Sequence, residues 1–294
     1  MDVLAGQLFA GLSQGSILLL IALGLALTFG QMGVINMAHG EFIMAGAYTA
    51  YVMSGIVGSA GLSLLIAIPL GFVVGGLLGL LLEQTIISRM YERPLDTLLV
   101  TFGVSLILQQ LARDLFGAPN VDVPAPGWLQ GSVSLFGLDI AASRVFILGL
   151  SLACVAVLAL AMRYTSLGRR IRAVVQNRDL AESVGISTRA SDRLTFFIGS
   201  GLAGVAGVAL TLLGSTGPTL GTGYIIDAFL VVVVGGIGQL RGAVIAAFVL
   251  GMLQSVAQWG TSASMAKVIV FVAIVVFLQA RPQGIVNVRT RSLA

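Results

Sequence analysis

Apolar blocks follow one another along the whole chain, each bounded by glycine, proline or charged residues. Blocks of roughly 20 apolar residues read as membrane-spanning helices. The pattern predicts spans near 8–29, 62–82, 96–115, 144–162, 194–213, 242–258 and 265–280. Two more blocks, 37–54 and 224–238, are shorter or interrupted by glycine; they bring the count to nine, or to eight if one only re-enters the membrane. The predicted fold is therefore all-α, a polytopic transmembrane helical bundle of about 8–9 spans forming a single domain over 1–294. Residues 117–143, with Pro119, Pro124, Pro126 and Trp128, form a loop with a short hairpin-like end, and 163–193 form a second long loop. Leu8 onward reads as a retained first span, because Met1-Asp2-Val3 lacks a basic region and no small-residue cleavage site follows.

Composition agrees with the pattern. Charged residues make up 10% of the chain against about 25% in soluble domains, and 57% of residues are hydrophobic. A net charge of +4 could point to nucleic acid, but the arginines stand between apolar blocks without the lysine and aromatic residues of a binding patch. They instead sort by topology. Arg89, Arg93, the 163–193 loop, Arg241 and the tail with Arg281, Arg289 and Arg291 fall on one side under nine crossings. The opposite loops, 55–61, 117–143, 214–223 and 259–263, hold no Lys or Arg. The positive-inside rule then places the N-terminus outside and the C-terminus in the cytoplasm. Cys154 is the single cysteine, which excludes a disulfide scaffold or a thiolate metal cluster. No phosphate-binding loop ending in Lys-Ser/Thr and no Gly-x-Ser-x-Gly elbow occurs, so the chain is not expected to be an enzyme or to hydrolyse ATP.

Glycine, at 38 residues, points to helices in close approach, as at Gly71, Gly75 and Gly79 or Gly199, Gly204 and Gly207. At Gly30 and Gly33, and at Gly235, Gly236 and Gly238, glycine and glutamine interrupt apolar segments. Irregular backbone at membrane depth survives only where it is buried or lines a cavity. These five glycines are hinge candidates, and the segments after them, 33–44 and 242–253, hint at a weak duplication. Polar residues inside spans mark candidate path positions: Asn36, His39, Glu41, Thr101, Gln109 and Asp227. His39 is the lone histidine, too few ligands for a metal site, and its expected role is to hold an irregular segment by hydrogen bonds. Asp96, after Pro94, reads as a helix N-cap, and Glu83 marks the end of the 62–82 span.

Within the second loop, Ile171, Val174, Val175, Leu180, Ala181 and Val184 form an apolar stripe opposite Arg172, Gln176, Asp179 and Ser183. Arg178 and Glu182 stand i,i+4, and Gly185 is a natural stop. The spacing predicts one amphipathic helix over 169–184. Such a helix suits a lipid interface with anionic headgroups or a protein partner equally well.

The run Gly33-Val34-Ile35-Asn36-Met37-Ala38-His39-Gly40-Glu41-Phe42, with the segment from Gly168 to Gly185, resembles the membrane permeases of ATP-driven importers for branched-chain amino acids, amides and urea. The resemblance implies a bacterial inner-membrane permease paired with a second related permease. It also implies two cytoplasmic ATP-binding subunits, which hold the ATP, and an extracytoplasmic solute-binding protein; no cofactor belongs to this chain. The loop helix matches that family's coupling helix, with Arg169, Arg172, Val174, Val175, Arg178, Ala181, Glu182 and Gly185 as ATPase-coupling residues, although Ala181 to Gly185 alters the usual Glu-Ala-Ala-x-x-x-Gly order. The run from Arg93 to Gln110 and Pro119-Asn120-Val121 resemble the urea-transporting branch, so urea or a short-chain amide is the first expectation for the cargo and branched-chain amino acids the second. An ATP-independent channel, with the basic loop facing lipid, is the competing class.

Overall fold

The computed structural model describes residues 2–91, 93–135 and 138–286; Arg289 and Arg291 of the basic tail lie outside the described residues. The chain folds as helices α1 Asp2–Met32, α2 His39–Ile56, α3 Ala60–Thr85, α4 Pro94–Phe116, α5 Ala142–Tyr164, α6 Ser166–Gln176, α7 Arg178–Ser183, α8 Thr188–Leu210, α9 Leu220–Gly235, α10 Leu240–Gly260 and α11 Ala263–Ala280. An antiparallel hairpin, β1 Ser132–Leu135 and β2 Leu138–Ala141, pairs Val133 with Ile140 at the end of the 117–143 loop. The protein is thus an all-α polytopic membrane bundle. Among the described residues, seven helices, α1, α3, α4, α5, α8, α10 and α11, are long and apolar enough to cross a bilayer, and α9 is a shorter apolar helix.

Local chemistry explains the boundaries. Thr165, Asn177, Ser187 and Ser262 accept a hydrogen bond from a first-turn backbone N–H of α6, α7, α8 and α11, respectively, the usual N-cap role of these side chains. Pro94 opens α4, where the missing N–H costs nothing, and Gly117 closes it at φ 90°. Asp96 does not cap that helix as the sequence suggested. It sits within the first turn, facing Arg93 across 4.0 Å of exposed surface.

Helix α8 is the centre of the bundle. Its residues from Gly199 to Leu210 are all buried, and small side chains bring it backbone to backbone with three neighbours. Gly199 meets Gly24 of α1, Gly204 meets Gly46 of α2 and Gly71 of α3, and Gly207 meets Ile43 of α2. The apolar core spreads from these crossings, with Phe42, Phe196, Leu19 and Ile21 almost fully enclosed.

Contacts sort the helix ends into two sets. At one end, the last turn of α1 meets the first of α8 (Gln31 with Asp192), and α3 meets α8 (Glu83 with Arg193). The turn before α10 touches α1 there (Gly238 with Gly30) and Gly284 beyond α11. At the other end, Gln7 of α1 bonds Ser255 of α10, Val121 pairs with Thr216, and Gly61 lies beside Trp128. The first set carries the arginine-rich 163–193 segment. Arg113 in the last turn of α4 and Arg144 in the first turn of α5 are borne by helices that meet the 117–143 loop.

A side chain at Gly204 has nowhere to go, since a Cβ would overlap the Gly71 carbonyl. Gly204→Val is expected to destabilise the bundle by about 1–3 kcal/mol or more, read as a lower melting temperature in detergent. Gly103, whose added Cβ meets nothing within 4 Å, is the control and should accept Ala without loss.

Candidate functional site

Chain direction builds the first polar cluster. After α1 ends at Met32, the chain turns at Gly33 (φ 65°) and runs as irregular backbone to Ala38, then starts α2 at His39. The irregular stretch is satisfied locally: the Ala38 N–H donates to Asn36 Oδ1 at 3.0 Å, and the Met37 N–H donates to Thr101 Oγ1 on α4 at 3.1 Å. Gly40 and Gly221 then let the first turns of α2 and α9 touch. Two helix N-termini, each carrying a partial positive charge, therefore converge beside Glu41.

Helix α4 faces them with polar residues at every fourth position, Thr97, Thr101, Ser105 and Gln109, all buried. Ser105 Oγ donates to Glu41 Oε1 at 2.8 Å, and Gln109 Nε2 lies 2.9 Å from the same oxygen and 3.0 Å from Thr222 Oγ1 of α9. Glu41 Oε2 and Asn36 Nδ2 make no hydrogen bond, and the His39 ring faces the Ile21 backbone of α1.

A cavity of about 170 Å³ lies beyond this cluster, from one turn past Thr222 on α9 to Leu98 on α4, seven residues before Ser105. Leu25 and Phe29 of α1, Ile35 to Met37, Leu98 of α4, and Ile225, Ile226 and Phe229 of α9 line it, so Asn36 is its one polar side chain. Of the path candidates, Asn36, Glu41, Thr101 and Gln109 come together here. His39 does not: it is fully buried near Gly24 at the α1–α8 crossing, edge-on to Phe42. Asp227 is likewise elsewhere, 3.7 Å from Lys267 of α11 in a pair between neighbouring helices. Ser105 and Thr222 were missed from sequence, and the spacing of four from Thr97 to Gln109 was the signal that pointed to Ser105.

Four of the five hinge candidates lie together at the arginine-rich end, while a Cβ at Gly33 would meet nothing within 4 Å. Gly30 packs on Gly238, Gly235 on Gly242, and Gly236 (φ 99°) and Gly238 (φ 76°) take left-handed backbone between α9 and α10. The two breaks predicted separately are one contact.

The loop helix is broken. Asn177, at φ −161° and ψ 112°, ends α6 and caps α7, so 169–184 is not one continuous helix. The apolar stripe also divides. Ile171, Val174 and Ala181 are buried against the chain's own helices, whereas Val175, Leu180 and Val184 are 51%, 63% and 74% exposed. Arg169 and Arg172 lie on exposed positions of α6, and Gly185 ends α7 at φ 84°. Arg178 pairs with Asp192, whose side chain is completely buried, and Glu182 accepts from the Thr188 hydroxyl, so the expected Arg178–Glu182 pair is not formed.

Asp192 is the hub of a second network missed from sequence. Its other oxygen accepts from Gln31 Nε2 at 3.0 Å, and the Thr195 hydroxyl donates to Gln31. Beside it, Tyr91 donates to Glu83 at 2.7 Å, Arg193 lies 3.7 Å from Glu83, and Arg178 sits over the Tyr91 ring. Burial, then the Glu83 carboxylate, push the Tyr91 phenol well above its usual range, so it stays a donor. Burial is the largest influence and opposes the Arg178 charge, but the Asp192 bond together with the charges of Asp192, Tyr91 and Glu182 outweighs it and holds the guanidinium above its ordinary value. Among the described residues no cluster of three His, Cys, Asp or Glu side chains is placed to hold a metal.

Comparison with known proteins bears on both clusters. The family described as branched-chain amino acid transport system / permease component matches residues 7–278. The chain belongs to that family. The chain is therefore a membrane permease subunit of an ABC importer and not an enzyme. The permease is 31% identical over 294 residues to the high-affinity branched-chain amino acid transport system permease protein LivH of Escherichia coli K12, covering 96% of this chain and 94% of that protein. It is 30% identical to BraD of Pseudomonas aeruginosa, also a high-affinity branched-chain amino acid transport system permease protein, over 96% and 95% of the two chains. The ribose import permease protein RbsC of Escherichia coli K12 is 26% identical over 85% of this permease and 77% of its own length. The urea branch expected from residues 93–110 finds no support in these relatives. Part of that run is the polar stripe that faces Glu41.

Removing Asp192 strands Arg178 and Gln31. Asp192→Ala is expected to destabilise the permease toward the lower end of the roughly 3–5 kcal/mol of a broken buried pair, because Arg178 keeps some contact with water. Asp192→Asn, which still accepts from Gln31, should lose less when both are melted in detergent.

Proposed function

We propose that this permease is the membrane subunit through which an ATP-driven importer moves branched-chain aliphatic amino acids across the bacterial inner membrane. The carrying observation is the cavity at the α1–α4–α9 junction, apolar except for Asn36. Urea has no apolar part to bury and would leave that lining unused, whereas a leucine, isoleucine or valine side chain gains free energy from each buried methylene, about 0.8 kcal/mol. The names of LivH and BraD as branched-chain amino acid permeases support the same cargo.

The rest of the reading follows the family. Nine crossings, with α2 and α9 as the two short ones, put the N-terminus outside and the arginine-rich end in the cytoplasm, where the positive-inside rule wants it. A second related permease, two ATP-binding subunits and an extracytoplasmic binding protein complete the importer. The segment from Ser166 to Gly185 is its coupling element, gripping an ATP-binding subunit through Val175, Leu180 and Val184, which face away from the bundle. Arg169 and Arg172 add charge, but exposed pairs contribute little. Val174 and Ala181 anchor the segment to the bundle. Asn36, Glu41, Thr101 and Gln109 stand along the path, and the contact of Gly30 with Gly238 is a hinge.

Proteoliposomes holding the assembled importer and loaded with ATP inside should take up leucine in competition with isoleucine and valine, and not with urea or acetamide. Urea import, or leucine import without ATP, overturns the reading. Leu180→Asp and Val184→Asp should each cut leucine uptake by at least about tenfold, equivalent to ~1.4 kcal/mol of lost contact, while the protein still inserts. Unchanged uptake in both variants removes the coupling assignment.

A further inference from the structure

We infer that the Glu41 cluster and the neighbouring cavity together form a transient binding site for one zwitterionic amino acid, with Glu41 taking the ammonium, Asn36 the carboxylate and the cavity the aliphatic side chain. The inference rests on the proposed cargo and adds the residues that read it. Three observations carry it.

The first is an acceptor with spare capacity. Glu41 is 1% exposed, and Ser105 and Gln109 both serve Oε1, leaving Oε2 without a hydrogen bond. The ion pairs among the described residues involve Asp96, Asp192, Glu83 and Asp227, so no cation lies within 4 Å of Glu41. Arg113, one turn beyond Gln109, bonds Gln110 and reaches Glu41 only through its charge, from beyond ion-pair distance. Buried charges are ordinarily paired. The two converging helix N-termini favour a carboxylate at this place, and an ammonium ion is the partner that such a carboxylate accepts at Oε2.

The second is a matching donor. Asn36 is 3% exposed; its Oδ1 is committed to the Ala38 N–H, and its Nδ2 makes no bond. Asn36 lines the cavity. An amide N–H facing an otherwise apolar space is a single donor for a carboxylate oxygen.

The third is register. Along α4, Thr101 holds the Met37 N–H and Ser105 holds Glu41, so the Asn36 segment and Glu41 are offset by one turn, about 5.4 Å. Along α9, Thr222 of the polar cluster stands one turn before Ile226 of the cavity wall. The donor lines the apolar space itself, and the acceptor stands one turn from it along α9 and two along α4, where Leu98 of the wall lies seven residues before Ser105. At about 170 Å³ the cavity is smaller than the roughly 300–1,000 Å³ of pockets for drug-sized ligands, which suits one side chain and a brief stay.

The assembled importer in proteoliposomes, with leucine and valine as the probes, tests this. Ile226 is half exposed at the cavity rim, so a bulky residue can be placed there. Ile226→Trp should lower the leucine-to-valine uptake ratio by about tenfold, the discrimination that one methylene commands in an apolar pocket. Ile226→Ala should move the ratio the other way, and it decides the matter if the tryptophan variant fails to assemble. Glu41→Gln should cut leucine uptake by at least about tenfold, while ATP hydrolysis stimulated by the loaded binding protein persists. Glu41→Asp should recover part of that uptake. Wild-type import of leucine with an unchanged leucine-to-valine ratio in both Ile226 variants overturns the site and leaves the proposed function standing. A wild-type importer that moves no branched-chain amino acid overturns the function itself.

Discussion

Helix α8 touches α1, α2 and α3 backbone to backbone, and the remaining architecture depends on that contact. In hydrocarbon, helices gain nothing by hiding apolar side chains from one another, because the lipid is as apolar as they are; close packing has to hold them. Gly199, Gly204 and Gly207 supply it by presenting no side chain to Gly24, Gly46, Gly71 and Ile43. With three helices drawn onto α8, α2 is fixed in depth and angle. Its first turn then presses on α9 through Gly40 and Gly221, and this second contact gathers Glu41, Gln109 and Thr222 into one cluster.

Unsatisfied backbone groups are the opposing cost. A chain that leaves helical geometry inside a bilayer must find partners for its freed amides, and the stretch from Gly33 to Ala38 finds them in the Asn36 side chain and in Thr101. The same requirement explains why α4 carries polar residues four apart at Thr101, Ser105 and Gln109: these bond the broken segment and the first turn of α2. On the other side of the break, His39 fills space beside Gly24 and packs against Phe42. One short irregular segment thus sorts three polar neighbours, Asn36, His39 and Glu41, onto different faces, a distinction that adjacency in sequence conceals.

Much of the bundle was legible because lipid-facing helices write their length directly in apolar residues. The predicted 242–258 block corresponds to Leu240–Gly260, and 265–280 to Ala263–Ala280. The hairpin end of the 117–143 loop and both glycine breaks were also visible. What stayed hidden depends on contacts distant in sequence. Asp192 lies 14 residues from Arg178 and 161 from Gln31, so the i,i+4 rule chose Glu182 instead. The amphipathic stripe of the 163–193 segment could not reveal which of its apolar residues face the chain's own bundle, because burial of Val174 and exposure of Val175 differ only in what lies beyond each side chain. The urea branch was expected from the resemblance of residues 93–110; the polar residues in that run spend their hydrogen bonds on Glu41 and on the broken segment.

The two polar clusters are joined by α1. At its last turn Gln31 is held by Asp192 and Thr195, and Asp192 is in turn bound to Arg178 of the segment proposed to couple to the ATP-binding subunits. Less than one turn earlier Phe29, and one further turn back Leu25, form the cavity wall. A force on α7 that shifts Arg178 must therefore either break a bond to a fully buried carboxylate or move α8 and the end of α1 together. Breaking it is the costlier course, so the load passes to α1. Movement there is not resisted by interlocked side chains at the next contact, because Gly30 meets Gly238 with none on either side. On the proposed reading, the hinge and the hub are adjacent for this reason: the hub fixes where the force enters α1, and the glycine pair leaves the lower part of that helix free to slide past the α9–α10 turn. The cavity wall then changes shape without any residue of the Glu41 cluster having to give up its own partners.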